Sequence, residues 1–174
     1  MTLATVSINR APVLTLWASI VAERLGHGRA TALTLGKAVA GLNAQSKGRR
    51  LGIYEVAEPD PHAKAPRKTA KTVSLLGRLV PVVETDGGLR AAVKDQPENP
   101  ASVERYLSQK FGAALPAVDD AMRALAQSYP PKRLASIAFA LYEQFRPDIP
   151  DGVRGWGAKG VLHLDRIRGA TDQR

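Results

Sequence analysis

From Pro12 to Leu25 the chain is apolar almost without a break, through Val13, Leu14, Leu16, Trp17, Ala18, Ile20, Val21 and Ala22. The run predicts a first helix that opens at Pro12, where a missing N–H costs nothing, with Asn9 near the cap position. A helix apolar on every side is one that neighbours surround. Gly26 and Gly28, flanking His27, predict the stop and the turn. A second helix is predicted from Ala30 to Gln45. Leu35, Val39 and Leu42 form one apolar stripe, and Ala32, Gly36, Ala40 and Ala44 form a second stripe of small side chains four apart. Positions four apart share a face, so this row invites another helix to come close. Close packing would offset the roughly 1 kcal/mol that Gly36 and Gly41 each cost a helix. The hairpin ends in a basic exit, Lys47-Gly48-Arg49-Arg50.

The period then changes. Met1 to Ile8 alternates loosely through Leu3, Val6 and Ile8, as a short strand or an ordered arm. From Gly48 to Lys71 the pattern breaks down. Leu51, Ile53 and Tyr54 suit either one short strand or a cover over the core. Pro59, Pro61 and Pro66 then mark a linker or loop, whose basic second half holds Lys64, Arg67, Lys68 and Lys71. Thr72–Leu76, Arg78–Thr85 and Leu89–Val93 are strand-like, with Asp86-Gly87 as a two-residue turn. They predict an antiparallel meander of two or three strands. Gly77 and Pro81 suggest a bulge or an edge position. Arg78, Val80, Val82 and Glu84 share one face of the middle strand and Leu79, Pro81 and Val83 the other, which leaves the solvent side open.

Helical spacing returns at Asn99-Pro100, a cap followed by a first-turn proline. Val103, Tyr106, Leu107 and Phe111 line one side of a helix that Gly112 ends. Pro116 starts the next, with Val118, Met122, Leu125 and Tyr129 inward and Asp119 and Asp120 in the dipole-favoured first turn. After Pro130-Pro131 a third runs to Phe145 over Leu134, Ile137, Ala138, Leu141 and Tyr142, stopped by Pro147 and Pro150. In the tail, Val161, Leu162 and Leu164 make a short apolar segment, and Asp165 is placed to cap a last turn holding Arg166, Ile167 and Arg168. The expected fold is α+β and mainly α: a helical hairpin, basic loop and β meander over residues 1–95, then a three-helix bundle with a Gly-rich tail over 96–174, together one compact unit.

Composition narrows the function classes. The 174 residues contain no Cys, which removes disulfides, thiolate metal sites and Cys nucleophiles. The N-terminus lacks a signal pattern and no apolar run reaches membrane-spanning length, so a cytoplasmic protein with no membrane partner is expected. The formal charge is +9. It is uneven: residues 1–95 hold 14 Lys/Arg against 7 Asp/Glu, and 96–174 hold 11 against 9. A basic half invites a polyanion.

No residue pattern names a reaction. Gly155-Trp156-Gly157-Ala158-Lys159-Gly160 resembles an anion-cradling loop in composition, but lacks the Ser/Thr and the spacing of a P-loop and the spacing of a dinucleotide fingerprint. Trp156 packing the tail onto the bundle explains it as well; otherwise Trp156 stacks a base and Lys159 meets a phosphate. His27, His62 and His163 have no partner at metal-ligand spacing, and Glu23, Glu84, Glu143 and Asp165 stand apart. No catalytic residue, metal or cofactor is therefore assigned. The expected function is a non-catalytic nucleic-acid-binding protein, DNA first, that grips phosphates through Lys37, Lys47, Arg49, Arg50, Arg67, Lys68, Lys71 and Lys159. A recognition helix is not expected, because the second helix offers only Lys37, Asn43 and Gln45 for reading bases. The alternative is a protein-interaction or self-associating module, a homo-oligomer joined through the small-residue stripe of the second helix.

Overall fold

The structure, a computed structural model, describes residues 5–50, 71–93, 96–147 and 159–170, and for 43–50, 71, 93 and 159 it describes the backbone alone. The fold is α+β and mainly α. Strand β1 (Thr5–Asn9) leads into helix α1 (Arg10–Arg24) and helix α2 (Arg29–Arg50). A meander follows: β2 (Lys71–Leu75), β3 (Arg78–Thr85), β4 (Gly88–Val93) and the short β5 (Gln96–Pro97). Helices α3 (Pro100–Phe111), α4 (Leu115–Gln127) and α5 (Pro131–Phe145) come next, then β6 (Lys159–His163) and α6 (Leu164–Gly169).

Helix α1 is the core. Pro12 through Ala22 are all buried, as its apolar surround requires. It begins at Arg10, so Pro12 sits inside the first turn. Asn9 takes the cap position with an extended backbone but makes no side-chain cap bond, being paired to Lys159 in β1. Two hydroxyls on this buried helix are satisfied by its own carbonyls: Thr15 Oγ1 donates to Ala11 O at 2.9 Å and Ser19 Oγ to Thr15 O at 2.7 Å. Trp17 is fully buried, donates from Nε1 to Ala138 O at 2.9 Å, and meets Phe145 edge-on with centroids 5.3 Å apart. The three C-terminal helices expected as a bundle share α1 as their common partner: α3, α4 and α5 each pack against it. Asn99 accepts a bond from Ala101 N at 2.9 Å, and Gly112 at φ +56° ends α3.

Helix α2 lies along α1, and Gly36 marks the closest approach. A Cβ there would overlap Ser19 Oγ and the Thr15 carbonyl oxygen, and would lie 2.9 Å from Ser19 N. Ala32 and Ala40, in the same row, are also buried. At Gly36 the small-residue stripe is thus occupied within the chain by α1. The opposite side of α2 carries the sheet. Thr31 Oγ1 donates to Leu89 O at 2.6 Å, and Thr34 Oγ1 accepts from Ala91 N at 3.0 Å.

The sheet is antiparallel in the order β2-β3-β4-β5. Val80 and Val82 point inward and are buried, while Leu79 is 68% exposed, which settles the solvent side. Leu76 and Gly77 both have positive φ and close a two-residue hairpin between Leu75 and Arg78. Pro81 lies beyond the last β3–β4 pair, Val82↔Ala91, where no bond from its nitrogen to β4 is called for. A second, two-stranded sheet pairs β1 with β6 antiparallel from Thr5↔His163 to Asn9↔Lys159. His163, not Asp165, takes the cap position of α6, whose Leu164 and Ile167 are buried.

Candidate polyanion-contact surface

The sequence puts a basic exit after the second helix; the backbone continues that helix instead. Helix α2 runs to Arg50, so Lys47, Arg49 and Arg50 occupy its last turn. Gly48 does not stop it, since an isolated glycine only weakens a helix. Cations in a last turn also complement the helix dipole, which accounts for them without a ligand. On a helix of 3.6 residues per turn, positions 47 and 49 lie about 160° apart. The four candidate cations of α2 therefore do not form one stripe. Lys71 and Lys159 begin β2 and β6 respectively. Arg67, Lys68, the Pro-rich loop and residues 155–158 of the Gly-rich stretch lie outside the described residues.

Lys37 is the one candidate whose side chain is described. It is half-buried, and its Nζ stands 3.8 Å from the centroid of the Tyr106 ring on α3. That distance is a close cation–π contact. Burial lowers the Lys37 pKa below the usual lysine value; the nearby Glu98 carboxylate opposes this and the Lys110 ammonium adds to it. Burial pushes the Tyr106 hydroxyl up in turn. Lys110 is exposed and sits four residues from Tyr106, on the same face of α3. The helices therefore set one ammonium group against a half-buried aromatic ring, with Lys110 one turn along the same face of α3 and Glu98 as the acid that acts on Lys37. Tyr106 reads as core from its helical spacing alone, and Lys110 carries no local signal that links it to Lys37.

Other described cations of the first half have work inside the fold. Arg10 Nε donates to Pro147 O at 2.9 Å, and Arg24 Nη2 to Tyr129 O at 3.1 Å. Arg90 Nη1 donates to Leu89 O at 2.8 Å and Nη2 to Gly87 O at 3.2 Å. Arg29 faces Glu23 at 3.3 Å and Glu104 at 3.7 Å. These groups tie α1, α2 and β4 to their neighbours. The remaining basic surplus is concentrated in sequence: Lys47, Arg49, Arg50, Lys64, Arg67, Lys68 and Lys71 stand against Glu55, Glu58 and Asp60.

A cleft of about 330 Å³ opens where α1, α3 and α4 meet, over Leu16, Leu107, Leu115 and Pro116 with Arg29, Glu104 and Asp119 around it. Its charged groups are already paired. Arg123 binds Asp119 at 2.8 Å and Glu23 at 3.0 Å, which raises the Arg123 pKa against the opposing effect of burial. Glu23 also takes Arg29, so the pairs run in one chain from Asp119 to Glu104. Such a chain holds helices together and supplies no free acid–base couple. Among the described residues no group of His, Asp and Glu gathers as a metal site, and no helix is long and apolar enough to cross a membrane. No protein-family model, curated protein or solved structure matches the chain.

Proposed function

We propose that this is a non-catalytic, cytoplasmic nucleic-acid-binding protein that grips the phosphate backbone, with duplex DNA as its first ligand. One observation carries the reading. Helix α2 is anchored in the core over Thr31–Ala40 and continues as a helix to Arg50. Its cationic last turn therefore extends an anchored helix, ahead of the Pro-rich stretch whose second half holds Lys64, Arg67, Lys68 and Lys71. Phosphate contacts of this kind give affinity and register, not sequence reading. Self-association through the small-residue row is disfavoured, because α1 fills that row at Gly36.

The test is fluorescence anisotropy with a labelled duplex across a salt series. Affinity is expected to fall steeply between roughly 50 and 200 mM salt, as counterion release requires. Changing Arg49, Arg50, Arg67 and Lys68 together to Ala should lower the logarithmic salt slope by about one for each phosphate no longer neutralised. Unchanged duplex binding by that variant would remove the surface from consideration.

A further inference from the structure

We propose that Lys37 and Lys110 together form a site for a single phosphate group, with Tyr106 as the positioning residue that holds the Lys37 ammonium in place. The proposal rests on the nucleic-acid reading for the source of the phosphate, a backbone phosphodiester, but the site itself stands on its own geometry.

The geometry begins with α3. Tyr106 and Lys110 are one turn apart and share a face. Helix α2 packs against α3 and sets the Lys37 Nζ 3.8 Å from the Tyr106 ring centroid. A lysine head lying against a ring is restrained in position and has already shed part of its hydration. An arriving anion then has less water to displace and less side-chain freedom to quench. The two ammonium groups repel each other while the site is empty, and an oxyanion between them converts that repulsion into two charge-assisted hydrogen bonds. Glu98 is the acid whose charge acts on Lys37, and the trio of Lys37, Lys110 and Glu98 carries a net charge of one positive unit. Glu98 competes with the phosphate for Lys37.

Two probes test this. Inorganic phosphate is titrated into protein with isotopically labelled lysines, and the side-chain signals are followed by NMR. A labelled duplex oligonucleotide is titrated in parallel by anisotropy. Phosphate is expected to move the Lys37 and Lys110 signals together. Lys37→Met and Lys110→Met should each weaken oligonucleotide binding about three- to tenfold and lower the salt slope by about one. Tyr106→Leu should weaken it similarly while Tyr106→Phe, which keeps the ring, retains wild-type binding. Glu98→Gln should tighten it. Lys110 is exposed, so its variant reports on binding without a risk to the fold.

If the oligonucleotide binds and both lysine variants keep wild-type affinity and slope, the site is wrong and the nucleic-acid reading survives. If phosphate moves both lysines and no oligonucleotide binds, the site stands and the polynucleotide reading falls. Silence from both probes overturns both.

Discussion

Gly36 lies against Ser19 where α2 crosses α1, and only a hydrogen fits in the space between them. The Ser19 hydroxyl cannot easily move aside, since it donates to Thr15 O at 2.7 Å inside a fully buried stretch. The Thr15 carbonyl is backbone and cannot rotate away at all. Gly36→Ala gains about 1 kcal/mol of helix propensity but must push two helices apart, at a cost of about 1–3 kcal/mol or more. A net loss of stability in urea denaturation is expected. Gly41 is on the same helix with open space where its Cβ would go. Gly41→Ala should therefore stabilise by about 0.5–1 kcal/mol. Equal effects from the two substitutions would show that the helices do not cross so closely.

Trp17 joins α1 to α5 by packing and by one hydrogen bond. Trp17→Phe keeps an apolar ring but leaves the Ala138 carbonyl without its indole donor and a gap beside Phe145. A loss of about 2–4 kcal/mol is expected by chemical denaturation, combining a lost buried hydrogen bond with a small cavity. A loss below about 0.5 kcal/mol would mean that the bond and the packing around Trp17 are dispensable.

These two positions also show what the sequence makes legible. The all-round apolar pattern of α1 predicts its central place, and the row through Gly36 predicts a close helix crossing; both are local patterns with one physical solution. Asn99-Pro100, Gly112 and Asp86-Gly87 likewise announce their cap, stop and turn. The pairing of β1 with β6 joins distant parts of the chain, Thr5 with His163, and a five-residue strand carries no mark of its partner. The end of α2 is hidden because Gly48 and the surrounding charges resemble a loop, whereas the helix continues through them. At the candidate site, charge alone marks Lys37. Tyr106 and Lys110 carry no such mark, because their link to Lys37 exists only once α2 and α3 have packed.

Lys37 is predicted to lower stability at neutral pH. Its pKa in the fold lies below the unfolded value of 10.5, with burial as the leading cause. A depressed value means that folding disfavours the proton: the penalty is fully present below the folded pKa and vanishes above the unfolded one. Lys37→Met should therefore melt at or above the wild-type temperature at pH 7, and the difference should close as pH rises past 10.5. A variant that melts well below wild type at pH 7 would show that the contact with Tyr106 outweighs the burial cost.

Glu23 holds two arginines from different elements, Arg29 at 3.3 Å and Arg123 at 3.0 Å, with its side chain 21% exposed. Glu23→Gln leaves both guanidinium groups short of a charge partner while preserving shape. The pairs are partly solvated, so a loss of about 1–2 kcal/mol is expected, smaller than for a fully buried pair. Most of it should persist in high salt if the geometry is held by hydrogen bonds, and a variant indistinguishable from wild type would reduce the charged chain between α1 and α4 to a surface feature.

Tyr142 gives the clearest alkaline signal. It is nearly fully buried, and burial pushes its hydroxyl from the ordinary value of 10.0 to about 12, against the opposing influence of Arg10 and Arg146. A raised pKa in the fold means that the neutral hydroxyl is favoured there. The contribution to stability is whole below pH 10 and is lost as pH climbs through about 12. Ultraviolet titration should show a late tyrosine step near pH 12, together with loss of structure. In Tyr142→Phe that late step disappears, and the fall in stability between pH 10 and 12 becomes shallower. The hydroxyl donates only at 3.5 Å, to Arg10 O, so the same substitution should cost less than about 1 kcal/mol at pH 7. Absence of a late step that Tyr142→Phe removes would place Tyr142 in contact with water, which the packing of Phe139 and Phe145 around it does not allow.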